Sequence, residues 1–306
     1  MVKNRQPRGG IPEVGFAAPP GTPTGVEVLT LAQLLARVGH GALSAPQRPR
    51  FHHLLTVSRG TLWHTIDFTG YALTPGRWLW VRPGQVQQWG RLDDADGTLI
   101  LFQDDFLDPE TAAAAHLDDP HAAATHEPAG DDLHRLSDAA EHLTRAFTAP
   151  GHLALEIRQS VLRHMLAALV LRLAHLDAPP GSLAPEPSDT FLRLRDAVER
   201  DFTRIRRLED YAHALGYSAR TLSRATQAAA GVNAKEFIDR RVVLEARRLL
   251  AHSDHTAAQI AARLGFTSAT NFSKYYHQRT GTTPIAFRIA TRSPDAAIRM
   301  SPDPRS

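Results

Sequence analysis

The chain of 306 residues contains no cysteine. Disulfides, thiolate nucleophiles, iron–sulfur clusters and thiolate zinc sites are therefore excluded together. Long apolar runs are also lacking, because the best such segment, residues 161–176, is interrupted by two arginines and two histidines. We therefore expect no membrane span. The basic N-terminal residues are followed by Gly and Pro instead of an apolar signal-peptide region, so we predict a cytoplasmic protein.

Charge is distributed unevenly along the sequence. Residues 187–306 contain 20 Lys and Arg against 12 Asp and Glu, a net charge of +8, whereas residues 1–186 contain 15 against 20, a net charge of −5. A basic segment joined to an acidic remainder is typical of a polyanion-binding module attached to another domain. Chance surface bias is the alternative explanation.

The first part of the chain has the pattern of a small β-domain. Residues 1–24 are rich in Pro, Gly and Arg, so we expect a flexible arm. From residue 51 onwards, short β-branched and aromatic runs alternate with turn residues. This alternation predicts an antiparallel barrel or sandwich within residues 25–130.

Helical spacing of apolar residues begins after residue 130. Two leucine rows with alternating spacings of 3 and 4 predict a helical segment over residues 131–176, whose helices pack within one subunit or against a second copy. The proline-containing stretch 177–188 is the predicted linker. Residues 189–291 are predicted to be helical, and residues 292–306 to form a flexible tail.

The C-terminal part contains an internal repeat. The stretch Ala212–Tyr217 recurs 49 residues later, and beyond the following turn the offset becomes 50, so that Leu222 matches Phe272. Each copy has the layout of a helix-turn-helix: a short helix, a Gly suited to the left-handed conformation, a hydroxyl residue that can cap, and a second helix. A plain helical hairpin would not account for the basic residues on the outer face of the second helix.

The segment between the copies predicts a single long helix. Residues 234–252 would form a helix about 27–30 Å long, and one turn of B-DNA is about 34 Å. Such a helix can place the second helices of both motifs in successive major grooves. Four arginines recur seven residues apart on one face of this helix: Arg240, Arg241, Arg247 and Arg248. We expect them to contact phosphates. For Arg240 and Arg247, a merely solvated role is equally open.

The stretch IAARLGFTSATNFSKYYHQRTGTTPIAFR, residues 260–288, closely resembles a motif of the AraC/XylS family of bacterial transcription regulators. The resemblance extends over residues 189–289 and implies a seven-helix domain with two helix-turn-helix motifs. It assigns base contacts to the following residues: Arg220, Ser223, Arg224, Thr270, Ser273 and Lys274. The sequence departs from the family pattern where Thr226 stands in place of an aromatic residue and His277 in place of a common Lys or Arg.

Several segments in residues 25–105 resemble the cupin-like sensor domain of many members of that family. This resemblance implies a jelly-roll barrel that binds a small effector, followed by helices that form a dimer. The sequence does not identify the effector. The side chains with suitable polarity or ring area are Arg50, His64, Trp80 and Arg82, although an aromatic barrel core explains the tryptophan equally well.

A metal-dependent cupin enzyme is the first competing interpretation. Catalytic cupins bind a metal through clustered histidines and a carboxylate, but Gln87 stands where a metal-binding cupin has His. His52 and His53 are adjacent, so on a strand they would face opposite sides. We therefore predict no metal, no cofactor and no enzymatic activity.

The predicted function is a homodimeric transcription regulator that binds double-stranded DNA and responds to a small-molecule effector, with RNA polymerase as a further partner implied by the family. The predicted fold class is a multidomain α and β protein, with an N-terminal cupin-like barrel and a C-terminal all-α domain. Two alternatives remain open: a cupin enzyme with a DNA-binding tail, and a constitutive DNA binder with an inert barrel.

Overall fold

A computed structural model of the chain describes residues 10–18, 21–117, 119, 122–149, 151–176 and 188–292. The described residues divide into two compact units, with residues 11–176 in the first and residues 188–292 in the second. Among the described residues, no helix combines the length and apolarity needed to cross a membrane.

The first unit is built from antiparallel sheets and helices. Its strands are β1 (Glu13–Val14), β2 (Val26–Thr30), β3 (Arg48–Pro49), β4 (His52–Gly60), β5 (Leu62–Ile66), β6 (Thr69–Leu73), β7 (Trp78–Val81), β8 (Gln87–Trp89), β9 (Ala95–Phe102) and β10 (Thr125–His126). Its helices are α1 (Leu31–Val38), α2 (His40–Leu43), α3 (Pro109–Ala114), α4 (Asp131–Thr148) and α5 (Leu155–Ala174). A five-stranded sheet has the order β10-β7-β4-β9-β2, and a three-stranded sheet has the order β6-β5-β8.

The five-stranded sheet is apolar on both faces, because successive side chains on a strand point to opposite sides. On one face, Leu55, Leu79 and Leu99 pack in a core shared with the three-stranded sheet. On the other face, Trp80 and Ile100 pack in a core shared with α4 and α5. This arrangement confirms the predicted β-domain followed by helices.

The predicted arm at residues 1–24 is wrong in part. Glu13 and Val14 form β1, which pairs in parallel with β3, and the backbone N–H of Arg50 donates to the carbonyl of Val14 at 3.0 Å. Two residues are too short a run to show an alternating pattern, so nothing in the sequence indicated this strand. Residues 1–9, 19 and 20 lie outside the described residues.

The leucine row of α5 packs within the subunit. Leu162, Leu166, Leu169 and Leu173 are all fully buried in the core between α5 and the five-stranded sheet. Of the two alternatives for this row, packing within one subunit is therefore the one realised. The physical reason is that the apolar outer face of the sheet needs a cover, and these leucines supply it.

The second unit consists of seven helices in its described part, as the family resemblance implied. They are α6 (Asp189–Asp201), α7 (Leu208–Leu215), α8 (Ala219–Ala230), α9 (Ala234–His252), α10 (Ala257–Arg263), α11 (Ala269–Thr280) and α12 (Pro284–Arg292). One apolar core joins them, and it includes Leu222, Phe237, Ile260 and Phe272. Of the predicted linker only Ser188 is described, where it caps α6 by accepting from the N–H of Phe191. The predicted tail, apart from Arg292, lies outside the described residues.

Candidate nucleic-acid interface and barrel interior

The first helix-turn-helix motif consists of α7 and α8. Gly216 ends α7 in the left-handed conformation with φ +73°, which costs glycine little. The side chain of Ser218 caps α8 by accepting from the N–H of Thr221 at 3.0 Å. Both features agree with the turn chemistry predicted from the repeat.

The second motif consists of α10 and α11, with Gly265 at φ +71° between them. Ser268, and not the alternative Thr267, caps α11 by accepting from the N–H of Asn271. The turn is also held from outside, because Arg206 donates to the carbonyl of Leu264 at 2.7 Å and lies over the ring of Phe266 at 4.3 Å. The second motif is therefore fixed to the loop between α6 and α7.

The second helix of each motif, called here the recognition helix, presents its polar side chains outward. On α8, Leu222 is buried, Arg220 and Arg224 are exposed, and Ser223 is half-buried. None of the ion pairs between described residues involves either arginine. Both guanidinium groups are therefore available to a partner outside the chain.

On α11 the same arrangement recurs at an offset of 50. Phe272 is buried, Thr270 and Lys274 are exposed, and Ser273 is half-buried. Lys274 makes no ion pair with any other described residue. The structure thus places all six predicted DNA-contacting residues on the outer or partly exposed faces of the two recognition helices.

The arginines of α9 differ from one another in a way that the sequence did not indicate. Arg241 binds Glu199 with a 2.7 Å ion pair, and the buried Arg248 binds Glu245 with a 3.2 Å ion pair. Their charges are neutralised inside the domain, so the phosphate role predicted for these two is corrected to a structural one. The seven-residue spacing of the arginines does not reveal their carboxylate partners, since Glu199 lies 42 residues from Arg241 in the sequence.

The other two arginines of α9 also have neighbours within the domain. Arg240 is exposed and binds Glu236 with a 2.6 Å ion pair, and Arg247 lies 5.7 Å from the ring centre of Phe287. Exposed ion pairs of this kind contribute only about 0–1 kcal/mol. Arg240 can therefore exchange its carboxylate for a phosphate, and its predicted phosphate contact stays a prediction.

Four exposed residues outside the predicted set also lie in the two motifs. Arg207, at the start of α7, and Arg263, in the last turn of α10, make no ion pair with another described residue. Gln227 and His277 lie one turn beyond Arg224 and Lys274 and are exposed on the same faces. The offset of 50 between the recognition helices would have identified Gln227 and His277 from the sequence. Arg207 and Arg263 could not be identified in this way, because only the folded structure shows which arginines are paired with carboxylates.

A carboxylate on α9 fixes the second recognition helix in place. Asp239 accepts from the hydroxyl of Tyr275 at 2.6 Å and binds Arg279 with a 2.8 Å ion pair. Burial, followed by the hydrogen bond to Asp239, raises the pKa of Tyr275, so the phenol stays protonated and can donate. The recognition helix is thereby fixed to α9 by polar contacts as well as by its apolar face.

The two motifs differ at the position where the family pattern departs. Thr226 is fully buried in α8, and its hydroxyl donates to the carbonyl of Leu222 at 2.8 Å. The matching residue in α11 is the buried Tyr276. A threonine fills much less of the core than a tyrosine, so the first motif has less apolar packing behind its recognition helix.

The barrel interior contains a row of three polar side chains. The ring of His64 contacts the amide oxygen of Gln87 at 3.2 Å, and the amide nitrogen of Gln87 contacts the ring of His53 at 3.2 Å. All three side chains are buried. Desolvation by burial lowers the pKa of both histidines to about 3, so the row is uncharged at neutral pH. The outer ring nitrogens, Nε2 of His53 and Nδ1 of His64, have no hydrogen-bond partner among the described residues.

The four predicted effector-binding residues are not brought together. His64 faces the interior between the sheets, whereas Trp80 lies on the opposite face of the five-stranded sheet. Arg82 packs over Trp80, and Arg50 has a largely exposed side chain that binds Glu13. His52 and His53 face opposite sides of β4, as predicted, since His52 accepts from Trp80 while His53 contacts Gln87. Among the described residues, no group of three or more His, Asp or Glu side chains is placed to hold a metal ion.

The histidine row should make the first unit acid-sensitive. The folded-state pKa values of His53 and His64, about 3, lie below the ordinary value of about 6.5, so the unfolded chain binds more protons between these limits. Stability should be full above about pH 6.5 and should fall as the pH drops towards 3. Urea unfolding followed by tryptophan fluorescence measures this unit, because all four tryptophans lie in it. His64→Gln should show a weaker pH dependence, whereas His142→Gln, at an exposed position of α4, should match the wild type.

Comparison with known proteins agrees with this geometry. A family profile described as a helix-turn-helix domain matches residues 211–290, which include both motifs. The chain is 24% identical over 247 residues to the HTH-type transcriptional activator RhaS of Escherichia fergusonii, covering 78% of this chain and 85% of that protein. It is 25% identical over 245 residues to the HTH-type transcriptional activator RhaR of Cronobacter sakazakii, covering 78% of this chain and 84% of that protein.

The solved structure of ToxT from Vibrio cholerae O395 is 12% identical to this chain, with a TM-score of 0.40. The match covers 88% of this chain and 98% of the ToxT chain. Residues 211–290 thus contain a helix-turn-helix domain of the AraC type, and over most of its length the chain is similar to transcriptional activators.

Proposed function

We propose that the protein is a sequence-specific DNA-binding transcription regulator controlled by a small-molecule effector. The observation that carries this proposal is the pair of recognition helices with exposed cations that have no counter-ion among the described residues. Such cations match the phosphate and base edges of a duplex. The relatives named above are transcriptional activators, which supports activation, with RNA polymerase as a partner.

Base reading is assigned to the first turns of the recognition helices. Arg220 and Arg224 can each bind a guanine through two hydrogen bonds, which discriminates against other bases by about 1–3 kcal/mol per pair. Lys274 occupies the matching place on α11, with Thr270 and Ser273 beside it. Arg207 and Arg263 are assigned to phosphates, which add affinity without sequence preference.

Effector binding is assigned to the interior between the two sheets. Gln87 fixes the tautomers of the row: His64 donates to its amide oxygen, and its amide donates to His53. This leaves one ring donor, Nε2–H of His53, and one ring acceptor, Nδ1 of His64, without a partner among the described residues. The row therefore suits an uncharged hydroxyl-bearing ligand. Because the side chains are already fixed and neutral, binding requires no proton transfer.

Dimerisation is assigned to the outer face of α5, since its leucine row is used within the subunit. Side chains on this outer face repeat at spacings of 4, 3 and 4, as in the seam of a coiled coil: Ile157, Val161, His164 and Ala168. Ile157 is 54% exposed, and the adjoining Leu153 and Leu155 are 53% and 47% exposed. Exposed apolar residues concentrated at one place are typical of an interface. A second copy of the chain is the partner proposed for this face.

A charge placed in the α5 stripe should separate the dimer. Ile157→Glu would place a carboxylate where an apolar contact is required, and we expect the protein to run as a monomer in size-exclusion chromatography with light scattering. Ile285→Glu is the matched control, since this isoleucine is 68% exposed on α12, outside the stripe. It should remain dimeric. An Ile157→Glu protein that stays dimeric would place the interface elsewhere.

The decisive experiment selects bound sites from random double-stranded DNA, with and without a pool of small metabolites. A shared sequence motif that is enriched, and whose occupancy changes with the pool, is the expected result. Enrichment without any effect of the pool would favour a constitutive DNA binder. Absence of an enriched motif would refute the proposed function, and stoichiometric metal in the purified protein would favour the cupin enzyme.

A further inference from the structure

Gln227 is an outward-facing polar side chain of α8 that has been given no role so far. It lies three residues after Arg224 and is exposed, and its amide makes no hydrogen bond to another described residue. Leu222 and Thr226 are fully buried on the opposite side, which fixes how α8 is turned about its own axis. At about 100° per residue, Arg220, Arg224 and Gln227 fall within an arc of about 60° on the outer face.

The distance from Arg224 to Gln227 along α8 is close to the step between neighbouring base pairs. Three residues of an α-helix span about 4.5 Å, while B-DNA has one base pair about every 3.4 Å. A helix that brings Arg224 to the edge of a guanine therefore brings Gln227 to the edge of the next base pair or the one beyond it.

The last turn of α8, beyond Gln227, consists of alanines. Ala228 and Ala229 are exposed and Ala230 is half-buried, and no charged residue occurs in residues 225–230. A helix end that lies along the phosphates gains affinity from Lys or Arg, because neutralising a phosphate releases a counter-ion. Small side chains instead leave little bulk between the helix and the wall of the groove. The end of α8 therefore suits close approach to the base edges and not attachment to phosphates.

The amide of Gln227 is suited to one base in particular. Its oxygen accepts and its nitrogen donates, side by side in one plane. Adenine presents the complementary pair in the major groove, with N6 as donor and N7 as acceptor. The matching residue on α11 is His277, whose two ring nitrogens point in different directions and cannot form this pair. Because the amide is neutral, it adds discrimination between bases without adding a counter-ion to the salt dependence.

We propose that Gln227 is a further specificity-determining residue, which reads an A·T base pair one or two steps from the G·C pair read by Arg224. Its amide oxygen accepts from N6 of the adenine, and its amide nitrogen donates to N7. This inference rests on the proposed function and adds to it the identity of one base pair in the target site. It also makes the two recognition helices differ in what they read.

Competition binding to the selected site tests the assignment at atomic level. The wild type should prefer A·T at that position by about 5- to 150-fold, and 7-deazaadenine, which lacks the N7 acceptor, should weaken its binding about 3- to 10-fold. Gln227→Ala should abolish both effects while keeping the preference for guanine and the salt dependence. Its fold should be intact, since alanine favours an exposed helical position. His277→Ala, the matched control on α11, should retain both effects.

Two results would overturn the assignment of adenine to Gln227. One is a wild-type protein without preference for A·T at either base pair beyond the guanine of Arg224. The other is a Gln227→Ala protein that keeps that preference or is still weakened by 7-deazaadenine. In both cases a sequence motif is still selected, so the proposed function stands. Failure to select any motif would instead refute the proposed function, and this inference with it.

Discussion

Replacing Arg224 with alanine should remove the sequence preference at the base pair that this side chain contacts while leaving residual, salt-sensitive DNA binding. The side chain is exposed on α8 and makes no ion pair with another described residue, so the substitution should leave the fold unchanged. The lost discrimination at one base pair should be about 1–3 kcal/mol, or roughly 5- to 150-fold in relative affinity. Competition binding against single-base variants of the selected site measures it.

The matched control for Arg224→Ala is Arg240→Ala. Arg240 is also an exposed arginine on a helix of the same unit, but it lies on α9 and binds Glu236. Its loss should weaken binding to all sequences alike and reduce the salt dependence of the affinity by about one counter-ion. If Arg224→Ala behaved in the same way as Arg240→Ala, the assignment of base reading to α8 would be wrong. A base-specific effect of Arg240→Ala would show that the role of α9 has been misassigned.

Gly265→Ala should destabilise the second unit far more than the same change at Gly216, although the two glycines are equivalent in the repeat. Both have a left-handed backbone, with φ +71° and +73°. An added Cβ at Gly265 would lie 1.9 Å from the carbonyl oxygen of Thr203, whereas at Gly216 it would meet nothing within 4 Å. We expect a loss of about 1–2 kcal/mol at Gly216 from the backbone alone. At Gly265 the clash should add about 1–3 kcal/mol more.

Circular dichroism in urea, with hydrogen exchange on peptides from α10 and α11, measures the difference between the two glycine variants. Backbone oxygen cannot move aside as a flexible side chain can, so the turn of the second motif must shift away from the loop at Thr203. Protection should therefore fall in α10 and α11 of Gly265→Ala and stay near the wild type in Gly216→Ala. Equal losses in the two variants would show that the close approach to Thr203 is not significant.

The contrast between these glycines illustrates how far the sequence could be interpreted. Turn glycines, capping serines and the alternation of buried positions depend on neighbours within one or two turns, so the repeat predicted them correctly. The close approach of Thr203 to Gly265 involves residues far apart in the chain and has no local signal. The same holds for the ion pair between Arg241 and Glu199, without which this arginine was assigned to phosphate.

The helices after the barrel show a second limit. The regular leucine spacing of α5 predicted a packed face correctly, but spacing alone does not say which surface covers it. The sheet already had two apolar faces, and α4 and α5 cover the outer one. The second apolar row of α5, which begins at Ile157, is interrupted by His164. It can therefore be identified as a separate exposed face only once the leucine row of α5 is known to be buried.

The continuous α9, together with the attachment of the second motif to the loop at Thr203 and Arg206, has a consequence for the operator. A protein with a hinge between its motifs could tolerate spacers of several lengths, but this one has no such freedom between α8 and α11. Inserting a single base pair between the two contacted stretches turns the distal one by about 34–36° around the duplex axis. The distal stretch also moves about 3.4 Å along that axis. Natural target promoters should therefore keep an invariant number of base pairs between these stretches, even where the intervening bases themselves vary freely.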